Sequence, residues 1–272
     1  MARAAAARPE TGEAEDHYRR MWRLQQMSVR ELRLLLAGEA AEIAPWIESA
    51  ARYGHAEAQL RLGQILLDGQ GFPGDPARAF RWFTRAADQG LAEAHNMVGR
   101  CHENGWGVPV DLVEAAGAYA RAAAAGHDWG EYNYANMLFD GRGVARDPAG
   151  ACVWYRRAAD RGHGRAMNLL ARCYEEGWGV ARDPAASCAW YRRSAETGYF
   201  RAQYNHASVL AAHGAVDEAL AWFERACRAA TPESLPGMLD GLERQGGRLE
   251  ALAQRLRQDL APGPAIRAEA PA

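Results

Sequence analysis

Five glycines, Gly54, Gly90, Gly126, Gly162 and Gly198, stand 36 residues apart without a slip. A fixed period of that length confines a chain to an array of small supersecondary units. Other columns keep the same step: Gly69, Gly105, Gly141 and Gly177; Gly71, Gly107, Gly143 and Gly179; Asp75, Asp111, Asp147 and Asp183. Within a unit, Ala58, Leu62, Ile65 and Leu66 recur at helical spacing, and a Gly-x-Gly then stops the helix and opens a loop. Asp75 followed by Pro76 starts a second helix, because Asp accepts the orphan amides at an N-cap and Pro is tolerated in the first turn. Asp147-Pro148 and Asp183-Pro184 repeat the device. That helix carries Ala79, Trp82, Phe83, Ala86 and Ala87 and closes at Gly90. So small a helix pair cannot bury its apolar face alone, so each unit stacks on its neighbours.

The register also sets the edges of the array. Four full units span 55–90, 91–126, 127–162 and 163–198. Trp46, Ile47, Ala50 and Ala51 lie 36 residues before Trp82, Phe83, Ala86 and Ala87, which makes 15–54 a degenerate capping unit with its first helix around 15–37. Residues 199–230 form a trimmed fifth unit: the glycine loop has shrunk to Gly214-Ala215, and Trp222-Phe223 arrive four residues early. Capping helices are expected over 231–260, and disorder over 1–14 and 261–272.

Charge and length exclude several classes. All 32 cations among the 272 residues are arginine, against 34 acidic side chains, and a net charge of −2 lacks the basic excess of a nucleic-acid binder. The N-terminus has no apolar stretch of a secretory signal, and no segment offers the run of about 18 apolar residues that a membrane span needs. A cytoplasmic protein is expected, with no membrane or nucleic-acid partner. Cys101, Cys152, Cys173, Cys188 and Cys227 form no C-x-x-C pair, which points to buried thiols.

The string from Ala166 to Gly198, with Gly177, Gly179, Val180, Asp183, Trp190, Tyr191 and Ala195, resembles the bacterial Sel1-like repeat, a relative of the tetratricopeptide repeat. The resemblance covers about residues 38–230. It implies an all-α, right-handed superhelical solenoid of antiparallel helix pairs that acts as a non-catalytic scaffold or adaptor for a partner protein. Some secreted relatives carry a cysteine pair in every repeat. Here the cysteines fall at unrelated columns, so the properties of that subgroup do not carry over.

No catalytic, metal or cofactor site emerges from the residues. Gly69-Gln70-Gly71-Phe72-Pro73-Gly74 matches G-x-G-x-x-G but follows a helix instead of a strand, and its counterparts GWGVPV, GRGVAR and GWGVAR lack the third glycine. His95 with His102, and His206 with His213, stand seven apart without a third ligand. No H-E-x-x-H, G-x-S-x-G or Walker string occurs. An enzyme, a hydrolase by loose family analogy with a site assembled in the groove, is the competing reading. Arg85, Arg121, Arg157, Arg193 and Arg225 form a ladder on the second helices; Asp88, Asp160 and Glu196 are placed to pair with it at i,i+3. In the second unit Ala118 stands where Trp82, Trp154 and Trp190 stand in others, which predicts a hole for neighbours such as Trp129 to fill.

Helix geometry supplies the binding candidates. With 58, 62, 65 and 66 facing the core, positions 60, 64 and 67 point away from it, toward what is the concave groove of stacked helix pairs. The successive sets are Leu60, Gln64, Leu67; Asn96, Arg100, Glu103; Tyr132, Asn136, Phe139; Asn168, Arg172, Glu175; and Tyr204, Ser208, Ala211. Aromatic bodies beside forked guanidinium donors suit a protein or peptide partner carrying acidic and apolar groups, bound by a monomer. The competing expectation pairs Arg100 with Glu103 and Arg172 with Glu175 and leaves no free surface.

Overall fold

The computed structural model describes residues 12–27, 30–31 and 40–260, and every regular element among them is a helix. Helices α1 (Gly12–Gln26) and α2 (Ala40–Arg52) precede five pairs. In sequence order these are α3 (Ala56–Asp68) and α4 (Pro76–Asp88), α5 (Ala92–Asn104) and α6 (Leu112–Ala124), α7 (Asp128–Asp140) and α8 (Pro148–Asp160), α9 (Gly164–Glu176) and α10 (Pro184–Glu196), and α11 (Phe200–Ala212) and α12 (Val216–Ala229), with α7 ending the first compact unit and α8 opening the second. Helices α13 (Leu235–Glu243) and α14 (Gly247–Asp259) follow. The chain is an all-α solenoid of helix pairs, divided into two compact units at Arg146–Asp147. Helix α1 begins at Gly12, inside the stretch 1–14 expected to be disordered. Residues 1–11, most of 27–39 and the tail 261–272 lie outside the described residues.

The repeated caps have direct physical causes. Asp75, Asp147 and Asp183 each accept a hydrogen bond at 2.9 Å from the amide three residues on, and Asp111 accepts from Val113 and Glu114. Each cap is worth about 1 kcal/mol. The first glycine of each loop takes the left-handed conformation that closes the first helix, as at Gly105 with φ 73°. The second does something else. A Cβ on Gly143 would overlap the carbonyl of Leu112, at the start of α6, and one on Gly179 would overlap the carbonyl of Pro148, at the start of α8. The seven-residue loops that hold Gly107, Gly143 and Gly179 therefore seat their backbone directly on the first turn of the preceding pair's second helix. The connection of the fifth pair keeps only residues 213–215.

The first unit's core gathers Leu62, Leu66, Phe83 and Met97 around small residues that let helices approach. Ala118 is fully buried in that core, and Trp129 is 41% exposed and packs edge-on against Tyr132. In the second unit Phe223 of α12 packs with Leu239, Leu242, Leu252 and Leu256 of the last two helices. No helix among the described residues is long and apolar enough to cross a membrane.

Candidate functional site

The first helices present the candidate residues, but not all of them face outward. Leu60, Asn96 and Asn168 are buried, which corrects the expectation that this position points away from the core. The reason is lateral: the first helix of the next pair lies alongside. Asn133 donates its side-chain amide to Asn96 at 2.9 Å, and in the second unit Asn205 donates to Asn168 at 2.9 Å. Gln64 reaches Glu93 in the same sense, while Leu67 packs onto the first unit's core.

In the first unit Arg100 is exposed, and its guanidinium lies over the Trp106 ring at 4.9 Å. It makes no ion pair among the described residues, and its guanidinium donates to the Met97 sulfur. Glu103 instead accepts the Tyr119 hydroxyl at 2.6 Å and pairs with Arg142 at 2.9 Å. Burial, and then the bond to Glu103, push the Tyr119 phenol well above its ordinary range. Tyr132 and Phe139 are half-buried, Phe139 beneath the Arg146 guanidinium at 5.9 Å, and Asn136 is half-buried between them on α7.

The second unit repeats the motif 72 residues on. Arg172 is exposed over Trp178 at 5.0 Å, and Glu175 accepts the Tyr191 hydroxyl at 2.7 Å. The i,i+3 pairs Arg100–Glu103 and Arg172–Glu175 therefore do not form: each carboxylate turns to a tyrosine of the second helix. Burial and the Glu175 bond raise the Tyr191 phenol as at Tyr119. Tyr204 does not face a groove. It packs edge-on against Phe223, and its hydroxyl donates to the Met238 carbonyl at 3.4 Å, so the capping helices cover it. Ser208 donates to the Tyr204 carbonyl and lines a cleft of about 300 Å³ together with Glu175, Arg182, Pro184, Cys188 and His213.

Four of the five free cysteines are buried; Cys188, in that cleft, is half-buried. Burial pushes the Cys101 thiol up to about 12 and Cys227 to about 11, which keeps both neutral. No group of three or more metal-ligating side chains gathers among the described residues. His206 is buried against Trp222, and His213 is exposed with Nδ1 on the Val209 carbonyl.

The arginine ladder has a partner that spacing did not suggest. Arg85, Arg157, Arg193 and Arg225 each lie over the indole three residues earlier, at 4.6, 4.5, 4.2 and 5.0 Å. Arg85 and Arg193 make no ion pair with Asp88 or Glu196; the 3.1 Å bridge to Glu196 comes from Arg192. Three residues before Arg121 stands Ala118, which offers no ring at that offset. The residues that sequence reasoning missed are Tyr119, Tyr191, Trp106, Trp178 and Arg142. The signal available for the first two was a Glu-to-Tyr offset of 16 residues shared by both units.

A family model described as the Sel1 repeat matches residues 56–91, 92–127, 130–163, 164–199 and 201–230. Among solved structures, a protective antigen of uropathogenic Escherichia coli with an SLR fold is 27% identical, with a TM-score of 0.65 over 82% of this chain and 54% of that one. The present chain thus spans about half the length of that protein. A Sel1 repeat protein from Oxalobacter formigenes is 28% identical, with a TM-score of 0.64 over 69% of this chain and 77% of that one. An immunity protein from Pseudomonas aeruginosa, 18% identical, shares the fold with a TM-score of 0.52 over 78% of this chain and 84% of that one. No curated protein matches the chain.

Proposed function

This chain belongs to the Sel1 repeat family, whose members are generally protein-interaction scaffolds, and from that premise we propose that it is a non-catalytic adaptor holding a partner protein or peptide against its first helices. The observation that carries the reading is the pair of exposed arginines, Arg100 and Arg172, each stacked on a loop tryptophan and neither paired with a carboxylate among the described residues. Stacking fixes the guanidinium plane and leaves its forked donors facing solvent, pre-organised for a carboxylate of a partner. Tyr132 and Phe139 offer apolar contacts in the first unit, and Asn136 a polar one. Five free thiols suit a reducing compartment, so the proposed setting is the cytoplasm, with the chain acting as a monomer.

The test is quantitative co-purification from the source cell with wild type and with the Arg100→Ala/Arg172→Ala/Tyr132→Ala variant. The expected outcome is a set of proteins enriched by wild type and lost from the variant while its thermal midpoint is kept. Retention of every partner by the folded variant overturns the reading.

A further inference from the structure

The cleft of the second unit is the vacant seat of a missing loop. Elsewhere a glycine of the seven-residue loop lies on the first-turn carbonyl of the preceding pair's second helix, as Gly143 lies on Leu112. The loop residue before it, Arg142, reaches Glu103, which also holds Tyr119. The corresponding groups in the fourth pair are Pro184, Glu175 and Tyr191, but the fifth pair's connection is only residues 213–215 and has no such loop to lay over them. At the place of Arg142, 39 residues after the glutamate, stands Gly214. Glu175 and Pro184, which correspond to the groups that the Arg142–Gly143 loop touches in the first unit, here line a cleft of about 300 Å³ with Cys188, Tyr191 and Ser208. Glu175 keeps its tyrosine and makes no ion pair among the described residues. Arg182, also at the cleft, gives its Nε to the Glu175 backbone carbonyl at 2.8 Å and makes no ion pair with the carboxylate.

Resting on the scaffold reading above, we propose that this cleft receives an Arg-Gly segment of a partner protein, the arginine pairing with Glu175 and the glycine seated over the Pro184 carbonyl. The chain's own Gly141-Arg142-Gly143 shows that this chemistry fits such a seat. Arginine is favoured over lysine because its fork can bond a carboxylate already holding one hydroxyl. Glycine is favoured because the equivalent seats leave no room for a Cβ.

Cys188 serves as a reporter, being half-buried in the cleft while the other four thiols are buried. The full chain is alkylated with neutral iodoacetamide, and Cys188 modification is followed by mass spectrometry in the presence of blocked Gly-Arg-Gly-Val-Ala peptide. Saturating peptide is expected to slow Cys188 at least fivefold. Peptides with citrulline for arginine, or alanine for the second glycine, are expected to protect less than twofold, and so is blocked arginine amide alone. Glu175→Gln, which can still accept from Tyr191, is expected to lose the protection, whereas Glu103→Gln keeps it. Absence of protection, or equal protection by the citrulline peptide, overturns the proposal on wild-type protein alone, whatever the variants do. Arg100→Ala/Arg172→Ala is expected to leave the peptide effect intact, which separates failure of this site from failure of the stacked-arginine surface.

Discussion

Glu103 in the first unit and Glu175 in the second each accept the hydroxyl of a tyrosine 16 residues on, yet only Glu103 is also met by an arginine from the following loop. The two repeats have nearly the same local sequence, Asn-x-x-x-Arg-x-x-Glu followed by Gly-Trp-Gly. What separates them is the next repeat. In a solenoid each unit is finished by its neighbour, so a four-residue deletion in the fifth pair changes the environment of a carboxylate that belongs to the fourth. A binding cleft can thus arise by removing a covering segment, with no new functional residue added.

The sharpest way to break this comparison is to unseat the loops that remain. Gly143→Ala or Gly179→Ala forces a left-handed alanine onto a carbonyl and is expected to cost about 2–3 kcal/mol in urea denaturation. Gly214→Ala, with φ 81° and nothing within 4 Å of a new Cβ, is expected to cost only about 1 kcal/mol. Equal losses would mean that loop seating contributes nothing beyond backbone strain.

Next in size are the tyrosines. Tyr119→Phe and Tyr191→Phe each remove a bond to a carboxylate, expected to cost about 1–2 kcal/mol at neutral pH. Both phenols are raised in the folded state, so their contribution is full below the unfolded value near 10 and is lost as pH rises toward the folded value. The urea midpoint should fall between about pH 9 and 11.5, and should fall less in the double Phe variant. An unchanged alkaline slope in that variant would show that the phenols are not held as described.

The smallest effects concern arginines. Arg142→Ala removes a partly exposed ion pair and is expected to cost under about 1 kcal/mol. Arg85→Ala uncovers an indole and is expected to cost about 0.5–1 kcal/mol. Arg121→Ala, with no ring at that offset, should stay within about 0.5 kcal/mol.

The sequence disclosed the period, the helix pairs and the aspartate caps because those depend on residues within one turn or one loop. The Asp-Pro start and the glycine stop are local chemistry. It misjudged Leu60, Asn96 and Asn168, because their burial comes from the neighbouring first helix, and the contacting asparagines lie 37 residues apart. The Arg142–Glu103 pair spans 39 residues and a helix boundary, so no helical wheel could place it. The four-residue deletion itself was legible. Its consequence was not, because an empty seat is recognised only once the occupied ones are seen.

The most direct test restores the loop. In the full chain, His213–Ala215 is replaced by the seven residues of Gly141–Asp147, which returns an arginine opposite Glu175 and a glycine over Pro184. Binding of the blocked Gly-Arg-Gly-Val-Ala peptide is then followed by saturation-transfer NMR on the peptide for wild type and graft. Wild type is expected to bind, and the folded graft, with its seat filled from within, is expected not to. Undiminished binding by a folded graft would contradict the claim that the missing loop makes the site.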